Sequence, residues 1–121
     1  DFGSLVNVFP DTTPDPFSFE DQAGVALATL TTSQPVTITG LNSAAPITVT
    51  DGEYSQNGGP FTAAAGTVTP NSSVRVRHVS SGAPDTAVDT VLTVGGVSDT
   101  FTSTTVRYAV DDAVVAAINL P

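Results

Sequence analysis

The feature that most constrains this chain is a series of short stretches rich in Val and Thr, each followed by Gly, Pro, Asn or Asp. The sequence contains 19 Thr and 17 Val, but it has no Lys and only two Glu. β-Branched side chains suit a pleated strand and penalise a helix, because their χ1 rotation is restricted. Frequent turn residues keep each strand short. The composition therefore predicts an all-β fold.

The clearest individual strand prediction covers residues 73–80, where Val74, Val76 and His78 alternate with two arginines and a valine. Strict alternation places one set of side chains on each face of a strand. Further strands are predicted at residues 17–19, 35–41, 46–50, 53–55, 66–69, 86–94 and 97–104, while residues 25–30 fit more than one pattern. About seven to nine short strands at this spacing, with no helix predicted between them, are typical of a β-sandwich.

Turns and a linker are predicted from short motifs. Asp51-Gly52, Asn57-Gly58 and Gly95-Gly96 are tight-turn dipeptides. Gly-Gly between two alternating stretches is a hairpin signal, because both positions of the favoured two-residue turn need a positive φ. Residues 20–22 are predicted to form a turn. Residues 11–16 contain two prolines, which cannot donate to a strand on either side, so this segment predicts a hinge or linker.

Both ends of the chain are apolar, and we interpret them as arms that flank a domain at residues 11–105. The N-terminal arm, residues 1–10, contains Phe2, Leu5, Val6, Val8 and Phe9. The C-terminal arm, residues 106–121, contains Val106, Tyr108, Val110, Val114, Ile118 and Leu120. Asp111-Asp112 could cap a helix in this arm, but its β-branched residues favour a strand. A strand donated to a neighbouring copy would pair its backbone groups and cover a sheet edge.

The charge balance limits the classes of partner. The formal net charge is −9, with 12 acidic residues against Arg75, Arg77 and Arg107. Such a surface repels phosphate groups and anionic lipid, so we expect no nucleic-acid partner. No apolar run approaches the roughly 20 residues of a membrane-spanning helix, so no membrane insertion is expected. The chain starts at Asp1 and not at Met, which fits a mature secreted protein of the cell surface or an excised fragment. It has no Cys, which excludes metal–thiolate sites and cysteine nucleophiles.

Four stretches combine into a recognisable pattern. They are DTTPDPFSFED at 11–21, ITVTDGEYSQNGGPFT at 47–62, GTV at 66–68 followed by VRVR at 74–77, and LTVGGVSDTF at 92–101. Together they resemble an immunoglobulin-like repeat that occurs in tandem in large bacterial surface proteins. The resemblance covers residues 11–105, and the two arms depart from it.

The resemblance implies an immunoglobulin-like antiparallel β-sandwich, used in such proteins for stalks, spacers and adhesive modules. Here Thr104-Thr105 leads into an apolar arm and not into a further copy of the repeat. We therefore expect a structural subunit of an extracellular filament or surface layer, a homopolymer that assembles by strand donation from its arms. The alternative is an adhesin or carbohydrate-binding module of a larger secreted protein.

Neither catalysis nor a cofactor is predicted. His78 is the single histidine, and it falls on the apolar face of its strand, where a hydrogen-bonded histidine in the core or at its rim is expected. No nucleophile motif accompanies it, so no catalytic residues and no enzyme activity are expected. Calcium prefers clustered oxygen ligands. The candidates are Asp51, Glu53, Asp111 and Asp112, together with Glu20-Asp21, but none of them has the spacing of a calcium loop.

The remaining candidates are cations, aromatics and a sequon. Arg75 and Arg77 share one strand face, where cross-strand ion pairs are expected. Arg107 lies in an arm, where a partner across a subunit contact is predicted. Inward positions favour core packing over sugar stacking for Phe17, Phe19, Phe61 and Phe101. Glycans are possible partners, because Asn71-Ser72-Ser73 fits the N-glycosylation pattern and the 30 Ser and Thr residues offer positions for O-glycans.

Overall fold

A computed structural model describes residues 9–107 of the chain, and every regular element there is a β-strand. The strands in chain order are β1 Gln22–Val25, β2 Leu30–Thr32, β3 Val36–Thr37, β4 Ala45–Thr50, β5 Glu53–Gln56, β6 Gly66–Val68, β7 Ser73–Val79, β8 Ala87–Val94 and β9 Val97–Thr105. This part of the chain contains no helix that is long and apolar enough to cross a membrane. The prediction of an all-β fold with many short strands is confirmed.

The nine strands form two sheets. The first has the order β1-β9-β8-β4-β6, in which β1 runs parallel to β9 and the other neighbours are antiparallel. In the second sheet β7 is central, because Arg77 lies opposite Thr32 of β2 and also opposite Glu53 of β5. β3 continues the edge formed by β2, with Val36 opposite Val74. The chain changes sheet between β4 and β5, at the predicted Asp51-Gly52 turn.

One core is shared by the two sheets. Its buried members are Phe19, Ile38, Ala45, Ile47, Tyr54, Val68, Val74, Val76, Leu92, Val94 and Phe101. In β7 the valines at 74 and 76 have no exposed surface, while Arg75 between them is exposed. This is the predicted alternation, since successive strand side chains point to opposite faces. Two sheets that enclose a common core are consistent with a β-sandwich.

The Gly95-Gly96 turn joins β8 to β9 as predicted, with Val94 opposite Val97. Both glycines have a positive φ, of 55° and 86°. A Cβ atom on Gly95 would also collide with the carbonyl oxygen of Thr12, whereas Gly96 faces open space. Gly95 therefore allows the N-terminal segment to approach the hairpin closely.

We expect Gly95→Ala to destabilise the protein more than Gly96→Ala. Each change costs about 1–2 kcal/mol, because it forces an alanine into a left-handed backbone conformation. Only the change at Gly95 must also displace Thr12 from the hairpin. Urea denaturation of both variants measures the difference, and equal losses of unfolding free energy would contradict the close approach.

Three local predictions are wrong. Residues 17–19 do not form a strand, because the amide of Phe19 donates to the Asp99 carboxylate at 2.8 Å and not to a neighbouring strand. The strand predicted at 35–41 is reduced to the two residues of β3. Gln22, predicted in a turn, is the first residue of β1. In the first two cases side-chain or loop contacts replace the regular ladder, whereas Gln22 joins the ladder by pairing with Ser103 of β9.

The proline-containing segment 11–16 is docked on the domain and is not a free linker. The amide of Asp15 donates to the carbonyl of Thr39 at 2.8 Å, and the amide of Asn42 donates to the carbonyl of Asp11 at 3.1 Å. Pro14 is buried. The prediction of a hinge assumed that two prolines prevent pairing, but the backbone hydrogen bonds at Asp11 and Asp15 involve neither proline.

Candidate functional site

The described chain starts and finishes at opposite ends of the domain. Residues 9–12 lie at the end that carries the Gly95-Gly96 turn, because Thr12 contacts Gly95. At the other end of β9, the amide of Val106 donates to the carbonyl of Val25 at 2.9 Å. The nine residues of β9 separate these ends by about 30 Å. We call them the N-terminal pole (residues 9–12 with the hairpin turn) and the C-terminal pole (residues 106–107).

Most of the predicted arm residues lie outside the described part of the chain. Phe9 and Val106 are the two within it: Phe9 is 78% exposed, and Val106 is half-buried beside β1. Arg107 is exposed. Outside the described residues are Phe2, Leu5, Val6, Val8, Tyr108, Val110, Val114, Ile118 and Leu120. Their role in contacts between copies stays a prediction.

At three of the sheet edges the domain's own groups make hydrogen bonds to the edge strand. The side-chain amide of Gln22 donates to the carbonyl of Thr32 at the edge of β2, and that of Gln56 donates to the carbonyl of Thr67 at the edge of β6. Thr62 exchanges two backbone hydrogen bonds with Tyr54 at the edge of β5. Within residues 9–107, no such hydrogen bond covers the outer edge of β1. The outer edge of β1 is therefore a candidate acceptor for a further strand.

The outward-facing side of the second sheet carries two of the chain's three arginines. We call this side the outer face, and its residues are Leu30, Thr32, Glu53, Ser55, Ser73, Arg75, Arg77 and Val79. Arg77 Nε lies 2.9 Å from Glu53 Oε1 directly across the sheet. The guanidinium of Arg77 also lies 4.0 Å from the ring centroid of Phe61. The predicted cross-strand ion pair is confirmed for Arg77.

A groove of about 510 Å³ opens on the outer face, beside Arg75. It is lined by Thr32, Ser55, Asn57, Gly58, Gly59, Phe61, Ser73 and Arg75. One wall is fixed by hydrogen bonds: Ser55 Oγ donates to the carbonyl of Gly59 at 2.7 Å, and the amide of Ser73 donates to Asn57 Oδ1 at 2.9 Å. Within residues 9–107, no carboxylate pairs with the exposed Arg75. The groove therefore offers a cation and several hydroxyl and amide groups to an acidic ligand.

Phe61 does not lie in the core, contrary to the prediction. It is half-exposed beside the groove and under Arg77. Its neighbour Thr62 pairs with Tyr54, whose own ring occupies the core position and whose hydroxyl donates to the carbonyl of Ala64. The core prediction is correct for Phe19 and Phe101, which are buried, while Phe17 is half-buried against them. The remaining tyrosine, Tyr108, lies outside the described residues.

An apolar pair occupies the part of the outer face nearest to the C-terminal pole. Leu30 and Val79 lie directly opposite each other across β2 and β7. They are 54% and 57% exposed, and together with Phe9 they are the large exposed hydrophobic residues of the described chain. A cation near one pole is thus followed along the same face by a small apolar patch.

His78 is buried and hydrogen-bonded through both ring nitrogens, as the sequence predicted. Nδ1 lies 2.7 Å from Thr90 Oγ1 and Nε2 lies 2.6 Å from Ser103 Oγ. Because the Thr90 hydroxyl donates to the carbonyl of Asp51, it accepts from Nδ1–H. In the neutral ring Nε2 has no proton, so it then accepts from the Ser103 hydroxyl.

The Ser103–His78 contact has the geometry of a nucleophile and its base, but Ser103 has no exposed surface. In a catalytic triad a carboxylate orients the histidine, whereas here the group on the other ring nitrogen of His78 is the Thr90 hydroxyl. The ring of His78 stacks on Phe101, with 5.0 Å between centroids. This network satisfies buried polar groups between the sheets. Sequence analysis missed Thr90 and Ser103, although both are polar residues at inward positions of their strands.

Protonation of His78 should weaken the fold. Burial lowers the pKa of His78 below its ordinary value of 6.5, and the negative charge of Asp89 opposes this shift with a smaller effect. The unfolded chain therefore binds a proton more readily than the folded chain as the pH falls. The stabilising contribution is complete above pH 6.5 and is lost as the pH falls below it, toward the folded pKa.

The measurement is the urea unfolding free energy between pH 7 and pH 5.5. We expect it to decrease toward pH 5.5 in the natural sequence and to change less in His78→Gln, which cannot titrate. Since His78 is the single histidine, the comparison isolates its contribution. An equal slope in both proteins would contradict a shifted pKa at this position.

The described calcium candidates are separated. Asp51 is an exposed turn residue with a φ of 60°, and Glu53 is paired with Arg77. Asp21 Oδ1 accepts a hydrogen bond from the amide of Thr102. Residues 9–107 contain no group of three or more acidic or histidine side chains that could hold a metal ion. Asp111 and Asp112 lie outside the described residues.

The sequon asparagine Asn71 is exposed in a turn, with a φ of 64°. This leaves its side chain accessible. The predicted glycan partner stays a prediction.

No protein-family model matches the sequence, and no curated protein matches it at a significant level. The resemblance to a bacterial immunoglobulin-like repeat therefore rests on the quoted motifs and stays a prediction.

Proposed function

We propose that this chain is a non-enzymatic structural subunit of an extracellular filament or surface layer. Copies join head to tail through their terminal arms, and at least one arm adds a strand to a neighbouring copy. The observation that carries this proposal is the placement of the two poles at opposite ends of the domain. A contact between unlike surfaces of identical copies propagates as a filament unless rotation closes it into a ring.

The strand order supports an immunoglobulin-like topology. Constant-type immunoglobulin domains pair strands B, E and D in one sheet and strands G, F and C in the other. The second sheet has β2 and β3, then β7, then β5 in the corresponding places, and the first has β9, β8 and β4. The parallel β1 at the edge of β9 and the short β6 are additions to this set. Such a domain presents its termini at opposite ends, which suits an end-to-end assembly.

The edge of β1 is the proposed acceptor for a donated strand. It lies at the C-terminal pole, since β1 pairs with residues 103–105 of β9. In a head-to-tail arrangement, the N-terminal pole of the next copy faces this edge. Phe2, Val6 and Val8 of that copy then supply apolar side chains, while their backbone groups pair with β1. We therefore assign the donated strand to the N-terminal arm.

The experiment is electron microscopy and analytical sedimentation of the purified chain. We expect polymers whose amount increases with protein concentration. A chain that stays monomeric at all accessible concentrations would contradict the proposal. The separate contributions of the two arms are tested by the truncations described in the Discussion.

The groove favours a second candidate, an adhesin or carbohydrate-binding module. Phe61 and the hydroxyl and amide groups beside it are of the kinds that contact sugars. Retention on immobilised glycans by a protein that does not polymerise would favour this candidate over the filament.

A further inference from the structure

We infer that the groove beside Arg75 receives the C-terminal arm of a second copy, with Asp111 paired to Arg75. This inference rests on the proposed head-to-tail assembly and assigns a contact to the second arm. It commits the outer face to one occupant, residues 108–121 of the preceding copy.

Charge complementarity is the first argument. Each copy carries a net charge of −9, so two copies repel each other unless acidic groups of one meet a cation of the other. Arg75 is such a cation, because no carboxylate of residues 9–107 pairs with it. Asp111-Asp112 is the acidic pair of the C-terminal arm, while residues 2–10 contain no charged side chain. The arm that brings carboxylates to the groove is therefore the C-terminal one.

The order of features along the outer face is the second argument. β7 runs from the N-terminal pole, where Asn57 bonds to Ser73, toward the C-terminal pole at Val79. An arm that arrives from the preceding copy meets Arg75 first, then the Arg77–Glu53 ion pair, and finally the apolar pair. The arm sequence has the same order, with Asp111 first and apolar residues after it.

The spacing of residues along the C-terminal arm also matches the spacing of features along β7. Arg75 and Val79 are four residues apart in β7, which corresponds to about 13 Å. Four residues after Asp111 comes Val115, and in an extended arm the two side chains share one face. Asp111 at Arg75 therefore places Val115 near Leu30 and Val79. In the proposed register an extended arm would carry Asp112 on its opposite face, away from Arg75.

The experiment measures the critical concentration for polymerisation by sedimentation. R75E and D111R are each expected to raise it by about tenfold or more, because each places like charges together at the contact. The double variant R75E/D111R reverses the pair and should return the value to within about threefold of the natural chain. D112R is the matched control, because it changes the net charge as much as D111R does but should raise the critical concentration less. Urea denaturation of R75E checks that the exposed substitution leaves the domain folded.

The outcomes separate the two proposals. If the natural chain polymerises while R75E and D111R leave the critical concentration unchanged, the groove assignment is wrong and the filament proposal stands. If the natural chain does not polymerise, both fail. Arg75-dependent retention on immobilised polygalacturonate, with unchanged polymerisation, would assign the groove to an acidic glycan instead. An effect of D111R that is independent of protein concentration would show that the arm docks on its own domain and would also overturn the inference.

Discussion

A chain that lacks residues 108–121 is expected to stay monomeric at concentrations where the whole chain forms polymers. This truncation removes the acidic and apolar residues proposed to contact the outer face of the next copy. It keeps Val106, whose amide bonds to the carbonyl of Val25, so the parallel pairing of β1 with β9 is preserved. Sedimentation and electron microscopy measure the result.

The matched truncation removes residues 1–8 and keeps Phe9, whose carbonyl accepts a hydrogen bond from the side chain of Asn42. It should also lose polymers, because β1 then receives no donated strand. Both shortened chains should unfold at nearly the same urea concentration as the whole chain at low concentration, since the core is untouched. Polymers formed by a chain that lacks both segments would contradict strand donation from the arms.

Phe101→Ala is expected to reduce the unfolding free energy by about 3–5 kcal/mol, the usual cost of a large cavity in a core. Phe101 is fully buried in β9 and contacts aromatic rings on two sides. His78 stacks on it, and the ring of Phe19 meets it edge-on with 6.4 Å between centroids. Such a loss is a large part of the roughly 5–15 kcal/mol typical of a domain.

Phe61→Ala is the matched control, because it removes the same ring from a half-exposed position on the outer face. Its expected cost is about 1 kcal/mol, mostly from the contact with Arg77. Urea denaturation of both variants gives the comparison. A loss at position 101 no larger than that at position 61 would show that Phe101 does not support the core as the structure indicates.

Strand β7 and the β8–β9 hairpin were predictable because the signals that specify them lie within a few residues of the sequence. The alternation in β7 and the Gly95-Gly96 dipeptide depend on residues that are neighbours in sequence. The paired burial of Val74, Val76 and His78 follows from the two-residue period of a strand. The strand prediction at residues 17–19 failed because the Asp99 carboxylate, which takes the amide of Phe19, is 80 residues away.

The candidate site was less predictable than the fold. Sequence analysis identified Arg75 and Arg77 as sharing a face, but it placed Phe61 in the core. It could not show that the groove combines Thr32 of β2 and Arg75 of β7 with Ser55 and Asn57 of β5 and the turn after it. Nor could it choose Thr90 and Ser103 as the partners of His78 among 30 serines and threonines.

The sequence alone determined three properties of this chain. It forms short strands, the β8–β9 hairpin has its turn at Gly95-Gly96, and the side of β7 that carries Val74 and Val76 faces inward. These properties follow from side-chain branching, glycine torsions and the strand period, which act over a few residues. Only the tertiary structure decided which edges are covered, where the groove opens and that the two poles lie at opposite ends. Those features depend on which distant strands pair, and pairing is settled by the burial of a common core and not by any local signal.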